Sequence, residues 1–228
     1  MLARPFKRAL GVSALAIVLA QAWASSASPD VQQAGKPQPV APAVAVAPSP
    51  PVAVVGGSGP ASFARIARRV LPGVVTLTTA QWLGSGFVVD RQGLVVTNAH
   101  VVAGQKDIKV HFSDGTHYPA TIVGFDIATD VALLRIDTKK SFPSLSLGND
   151  HALSVGDWVL AIGSPDGLTG TVTAGIVSAI HRDGFRGARV FTDYIQIDAA
   201  INHGNSGGPT FDMQGQVVGM NALGSYIS

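Results

Sequence analysis

The 228-residue chain is 46% hydrophobic and only 13% charged, about half the usual charged share, so it can bury a core and does not read as disordered. Its net charge of +2 rests on Arg4, Lys7 and Arg8 near the N-terminus; the remaining 13 basic residues face 14 acidic ones, which leaves no basic field for a phosphate backbone and excludes nucleic acid as a partner. There is no cysteine, which rules out disulfide support, a thiol nucleophile, a thiolate metal site and a lipid-anchored cysteine.

Residues 1–27 have the parts of an export signal. A charged start precedes an apolar run from Ala9 to Ala20, and Ala22 and Ala24 flank Trp23 in an A-x-A pattern. A spanning helix needs about 20 apolar residues, more than this run has. The segment therefore predicts a cleaved leader and a periplasmic or secreted protein, with membrane association only if the segment is retained. Residues 28–60 hold eight of the fourteen prolines with alanine, valine and a Gly-Gly-Ser-Gly end, without helical or strand period, and read as an extended linker.

The folded domain is expected from residue 61 to 228. Phe63, Ile66, Ala67 and Val70 fall at helical spacing, and Pro72-Gly73 stops that helix. Short β-branched runs follow: VVTLTT, GSGFVVD, LVVTN, DIKVHF, YPATIVGFD and VALLRID, with Asp114-Gly115 as a hairpin turn. A second series begins after a break near Gly148 to Gly156: WVLAIGS, TVTAGIVSAIH, RVFTDYIQID, GPTFD and QVVGMNAL. Short strands without long helices predict an all-β sandwich or barrel fold in two similar units, about 73–150 and 155–228.

Ser206 lies in INHGNSGGPT, which reads either as a plain Gly/Asn-rich surface loop or as a strained turn that presents the serine and aims backbone N–H groups at a reacting oxygen. GNSGG also fits the G-x-S-x-G elbow of α/β-hydrolases, but that fold needs a histidine after its serine, and none of the residues after Ser206 is one. A base for Ser206 must come from upstream. His100 ends the apolar strand of LVVTNAH, where its ring can project into a cleft. His111 and His117 flank the Asp114-Gly115 turn and could imitate a metal site, yet without a third convergent ligand they read as polar hairpin residues. His151 and His181 sit in loop-like contexts and receive no role. A carboxylate must hold the base in one tautomer. DIATDVALLRID offers Asp126, Asp130 and Asp137; Asp130 directly precedes an apolar strand and is the choice, while Asp126 and Asp137 are expected to cap turns.

GSGFVVDRQGLVVTNAHVV, DIATDVALLRI, VLAIGSPDGLTGTVTAGIVSAI and IQIDAAINHGNSGGP resemble, in order, the signature segments of the HtrA (DegP-like) family of trypsin-fold serine proteases, over about residues 62–223. The resemblance implies two six-stranded antiparallel β-barrels with a cleft between them, the triad His100, Asp130 and Ser206, no cofactor or metal, and peptide-bond hydrolysis in unfolded or damaged proteins. Family members often form homotrimers. The glycines would let the turn aim the N–H groups of Gly204 and Ser206, with Asn205 between them, at an oxyanion. The substrate pocket would involve Ala200, Ile201, Asn202 and His203; with Ala200 six residues before Ser206, where trypsin-type enzymes carry aspartate, the pocket should favour small aliphatic side chains. Asp198 is expected to serve as a structural hydrogen-bonding residue. His203 stands where the family usually has proline, and Thr210 where it usually has an aliphatic residue. The chain stops at Ser228 without a closing strand for the second barrel or a PDZ domain, so the last strand is expected to present an open edge. The rival expectation is a catalytically silent, peptide-binding or scaffold domain.

Overall fold

The computed structural model describes residues 16–20, 62–164, 170–183 and 193–222. The linker expected at 28–60 lies outside them. A short helix, α1 (Ala64–Val70), opens the described part of the domain, with Ile66 and Val70 one turn apart on its buried side. A 3₁₀ turn over Leu71–Gly73 carries Pro72 at its start, where the missing N–H costs nothing, and hands the chain to the first strand of a barrel.

That barrel is made from one continuous stretch. Its strands are β2 (Val74–Thr78), β3 (Leu83–Val88), β4 (Leu94–Asn98), β5 (Lys109–Phe112), β6 (His117–Asp126) and β7 (Val131–Ile136), closed in the order β2-β3-β4-β7-β6-β5. Every pairing is antiparallel. The expected hairpin turn joins β5 to β6: Gly115 takes φ +85, and the Asp114 carboxylate accepts from both the N–H and the hydroxyl of Thr116. Inside, Val75, Leu77, Val95, Val110, Leu134 and Ile136 are among the buried side chains of one cluster.

The second barrel takes β8 (Trp158–Gly163), β9 (Thr171–Asp183), β10 (Asp193–Ile197), β11 (Pro209–Phe211) and β12 (Val217–Ala222) from the C-terminal half. Five strands leave β10 and β12 each with a row of unpaired backbone groups. The sixth place is filled by β1 (Ala16–Ala20), which runs parallel to both, with Val18 opposite Ile195 on one side and Asn221 on the other. The edge of β12, expected to be open, is therefore covered. An unpaired edge is satisfied by any extended segment that can reach it, and this one comes from the stretch read as a leader.

The barrels share a third cluster. Val74, Phe87, Val96 and Leu133 of the first meet Leu160, Ile162, Phe211, Val217 and Met220 of the second, with Ile66 and Val70 of α1 against them. Full burial of side chains of this size contributes about 1.5–3 kcal/mol each. It keeps the facing ends of β3, β4 and β8 in fixed register across the junction.

Candidate active site

β4 ends at Asn98, and the chain turns at once into the four-residue helix α2 (Ala99–Val102), which lifts His100 off the strand end. Asp130 meets it from the turn between β6 and β7. The Asp130 carboxylate accepts from the His100 N–H at 2.9 Å with one oxygen and lies 2.7 Å from Nδ1 with the other. Its carbonyl accepts from Ala99 N–H at 3.0 Å and from the Asn98 amide at 3.1 Å. This grip requires Asp130 to adopt φ +57, a left-handed conformation that costs a non-glycine residue about 1–3 kcal/mol. A carboxylate at Nδ1 favours the tautomer with the proton on that nitrogen, which leaves Nε2 as the acceptor. Asp130 is 8% exposed, while the His100 side chain stays partly open to solvent. Asp126 instead caps its own turn, accepting from Ala128 N–H at 2.8 Å, and Asp137 accepts from the Thr121 hydroxyl.

Ser206 comes from the turn between Ile201 and Pro209. Gly204 and Gly207 bracket it at φ +94 and +86. The second glycine is required twice over, because a Cβ there would stand 2.2 Å from the Ser85 carbonyl oxygen and 2.3 Å from the Thr97 hydroxyl. The turn is thus pressed against β3 and against the end of β4, two residues before Ala99–His100. Gly84 makes the same approach from the other side: a Cβ there would meet Val101 at 2.7 Å and the Ser206 carbonyl oxygen at 3.3 Å.

Three peptide units of this turn are tied down. Asn205 N–H donates to the Asn202 carbonyl, Gly207 N–H to that of Asn221, and Gly208 N–H to that of Asn205. Among the described residues, the N–H groups of Gly204 and Ser206 donate to none. Asn205 is buried, its side chain lying against Gly163 at the end of β8. No hydrogen bond joins the Ser206 hydroxyl to the His100 ring; such contacts commonly tighten only around a bound substrate.

Of the residues expected at the pocket, Ala200, Asn202 and His203 are exposed, whereas Ile201 is fully buried among Val159, Val177 and Ile197. Asp198 accepts from Ile176 N–H at 2.6 Å beside Gly175, the structural role expected of it. His111 and His117 sit opposite each other on β5 and β6 with rings stacked at 5.4 Å, and His111 Nε2 lies 2.8 Å from the Thr78 hydroxyl. A cavity of about 350 Å³ lies near the start of β8, between Trp158, Asp157, Asp212 and Met213, and none of the residues around Ser206 lines it.

The sequence reading passed over Ser85, Thr97 and Asn221, all fully buried and all hydrogen-bonded next to the Ser206 turn. The one available signal was a hydroxyl held between two glycines, GSG, inside an otherwise apolar strand.

A family profile described as a trypsin-like peptidase domain matches residues 84–220. Proteins named probable periplasmic serine endoprotease DegP-like from Bartonella henselae and Rhizobium meliloti are 53% and 51% identical over 138 residues, which is 60% of this chain and 27% of each relative. The counterpart from Halomonas elongata is 50% identical over 140 residues, 61% of this chain and 29% of its own length. The chain thus spans under a third of these relatives. The solved structure of the HtrA-type protease AlgW with a tripeptide superposes with a TM-score of 0.67 at 42% identity, covering 70% of this chain and 53% of that one. The same protease with a decapeptide gives 0.66 at 34% identity, over 73% and 60%.

Proposed function

The chain belongs to the trypsin-like peptidase family, and on that premise we propose that it is a serine endopeptidase of the HtrA type acting on unfolded or damaged polypeptides outside the cytoplasm. The observation that carries this reading is the convergence of two elements. His100 is locked by two contacts to the Asp130 carboxylate, and the Ser206 turn packed beside it keeps two N–H groups uncommitted.

In this mechanism the Ser206 hydroxyl attacks the scissile carbonyl carbon while His100 Nε2 takes its proton. Asp130 stabilises the resulting imidazolium and does not itself become protonated. The oxyanion is received by Gly204 N–H and Ser206 N–H, where one lost donor costs about 3 kcal/mol. Collapse breaks the C–N bond, His100 returns the proton to the leaving amine, and water then releases the acyl group by the same steps in reverse. Small exposed Ala200 supports a preference for small aliphatic side chains, and peptides bound to AlgW support an extended polypeptide as substrate.

The test is labelling by a fluorophosphonate, which reacts only with an activated serine, together with hydrolysis of an unfolded protein such as casein. The wild-type chain is expected to label on Ser206 and to cut casein, and Ser206→Ala to do neither. A folded wild-type protein that is not labelled would leave the silent binding domain as the better reading.

A further inference from the structure

We propose that Ser85, on β3 of the first barrel, is a positioning residue for the oxyanion turn of the second. The inference rests on the triad reading above and extends it to a residue outside the triad. Ser85 is fully buried and makes three contacts across the junction. Its hydroxyl donates to the Gly204 carbonyl at 2.6 Å and accepts from Ser164 N–H at 2.9 Å, while its own N–H donates to the Ser206 carbonyl at 2.8 Å. Its carbonyl in turn accepts from the Thr97 hydroxyl at 2.6 Å, which ties the residue to the strand that leads into His100.

The consequence follows from peptide planarity. The Gly204 carbonyl and the Asn205 N–H belong to one rigid unit, held by Ser85 at one end and Asn202 at the other. The Ser206 carbonyl and the Gly207 N–H belong to the next unit but one, held by Ser85 and Asn221. The Ser206 N–H lies in the unit between these two planes and the Gly204 N–H in the unit before them, and neither donates to another described residue, so fixing the two planes restrains both. Gly204, at φ +94, has the freedom to let its own N–H swing away, and the Ser85 hydroxyl restrains the plane beside it. A single first-barrel residue, through its hydroxyl and its own peptide groups, thus connects the strand that leads into His100 to the Ser206 turn.

Ser85→Ala removes the hydroxyl and leaves the Gly204 carbonyl and Ser164 N–H without that partner. Thr76→Val is the matched control, because the Thr76 hydroxyl meets that of Ser164 at 2.5 Å, whereas the Gly204 and Ser206 carbonyls are held by Ser85. Ser85→Cys keeps a weak donor in the same place. Each variant is compared with wild type in fluorophosphonate labelling rate, kcat and KM on a peptide, and melting temperature. Ser85→Ala is expected to slow labelling and kcat by about 10–100-fold with KM within about twofold, Ser85→Cys to fall between it and wild type, and Thr76→Val to label at the wild-type rate even where its melting temperature falls. Equal slowing in Thr76→Val and Ser85→Ala would reduce Ser85 to packing, and so would a Ser85→Ala protein that labels at the wild-type rate. If Ser85→Ala does not fold, Ser85→Cys decides by the same labelling ratio. Labelling of wild type but not Ser206→Ala keeps the triad reading intact whatever Ser85 does; absence of labelling in wild type removes both.

Discussion

The two barrels solve the same closure problem in different ways. The first uses six strands contiguous in sequence, and its interior cluster holds fifteen buried residues against seven in the corresponding cluster of the second among the described residues. The second draws its sixth strand from the far N-terminal end of the chain, in parallel. His100 and Asp130, the base and carboxylate of the proposed triad, sit on the self-sufficient barrel, held by contacts made within it. The Ser206 turn sits on the other and is held from outside by Ser85 and Thr97 of the first barrel, as well as from within by Asn221 on β12. A base needs one fixed ring orientation. An oxyanion turn needs several peptide planes set at once, and its own barrel does not supply all the partners.

The largest effect is expected at the pair on the first barrel. Asp130→Asn should keep the fold while lowering kcat/KM by about 10⁴-fold, because an amide cannot hold His100 in the required tautomer. Peptide hydrolysis by folded protein checks this, and equal loss in Asp126→Asn would contradict the distinction drawn between the two aspartates. Gly207→Ala strikes the junction itself. A Cβ with carbonyl and hydroxyl oxygens little more than 2 Å away, at a positive φ, should cost about 4 kcal/mol or more and abolish labelling together with the cooperative transition.

Removing residues 1–22 separates the barrels most directly. Without β1 the edges of β10 and β12 lose a partner, and amide exchange in β12 should rise at least about tenfold, an opening cheaper by about 1.4 kcal/mol, while β4 and β7 keep their protection. Unchanged exchange in β12 would show that β1 contributes nothing to closure.

The smallest effect lies on the outer face of the first barrel. Burial first, then the neighbouring His117 and Lys109, push the His111 pKa below its ordinary value of 6.5. The folded protein therefore resists taking that proton while the unfolded chain accepts it. This stability is intact above about pH 6.5 and is lost as pH falls from there through the lower folded value. His111→Gln should flatten the acid limb, seen as a smaller drop in urea midpoint between about pH 7.5 and pH 5. An unaltered slope would place the acid sensitivity elsewhere.

Much of this arrangement was legible in the sequence because its signals are local. Period-two apolar runs specify half-buried strands, Asp114-Gly115 specifies a hairpin, and the order His100, Asp130, Ser206 excludes a hydrolase elbow without any coordinates. Asp130 could be preferred to Asp126 because it stands directly before a core strand. Ser85 could not be read in the same way. Its hydroxyl has no partner within its own strand, and the Gly204 carbonyl that the hydroxyl donates to and the Ser206 carbonyl that its N–H donates to lie more than a hundred residues away. Likewise, the resemblance implied Ile201 as a pocket residue, and only the packing of β8, β9 and β10 shows it buried. Nor could strand signals say which segment would lie between β10 and β12, since an unpaired backbone edge has no side-chain code for its partner and takes what the tertiary fold brings within reach.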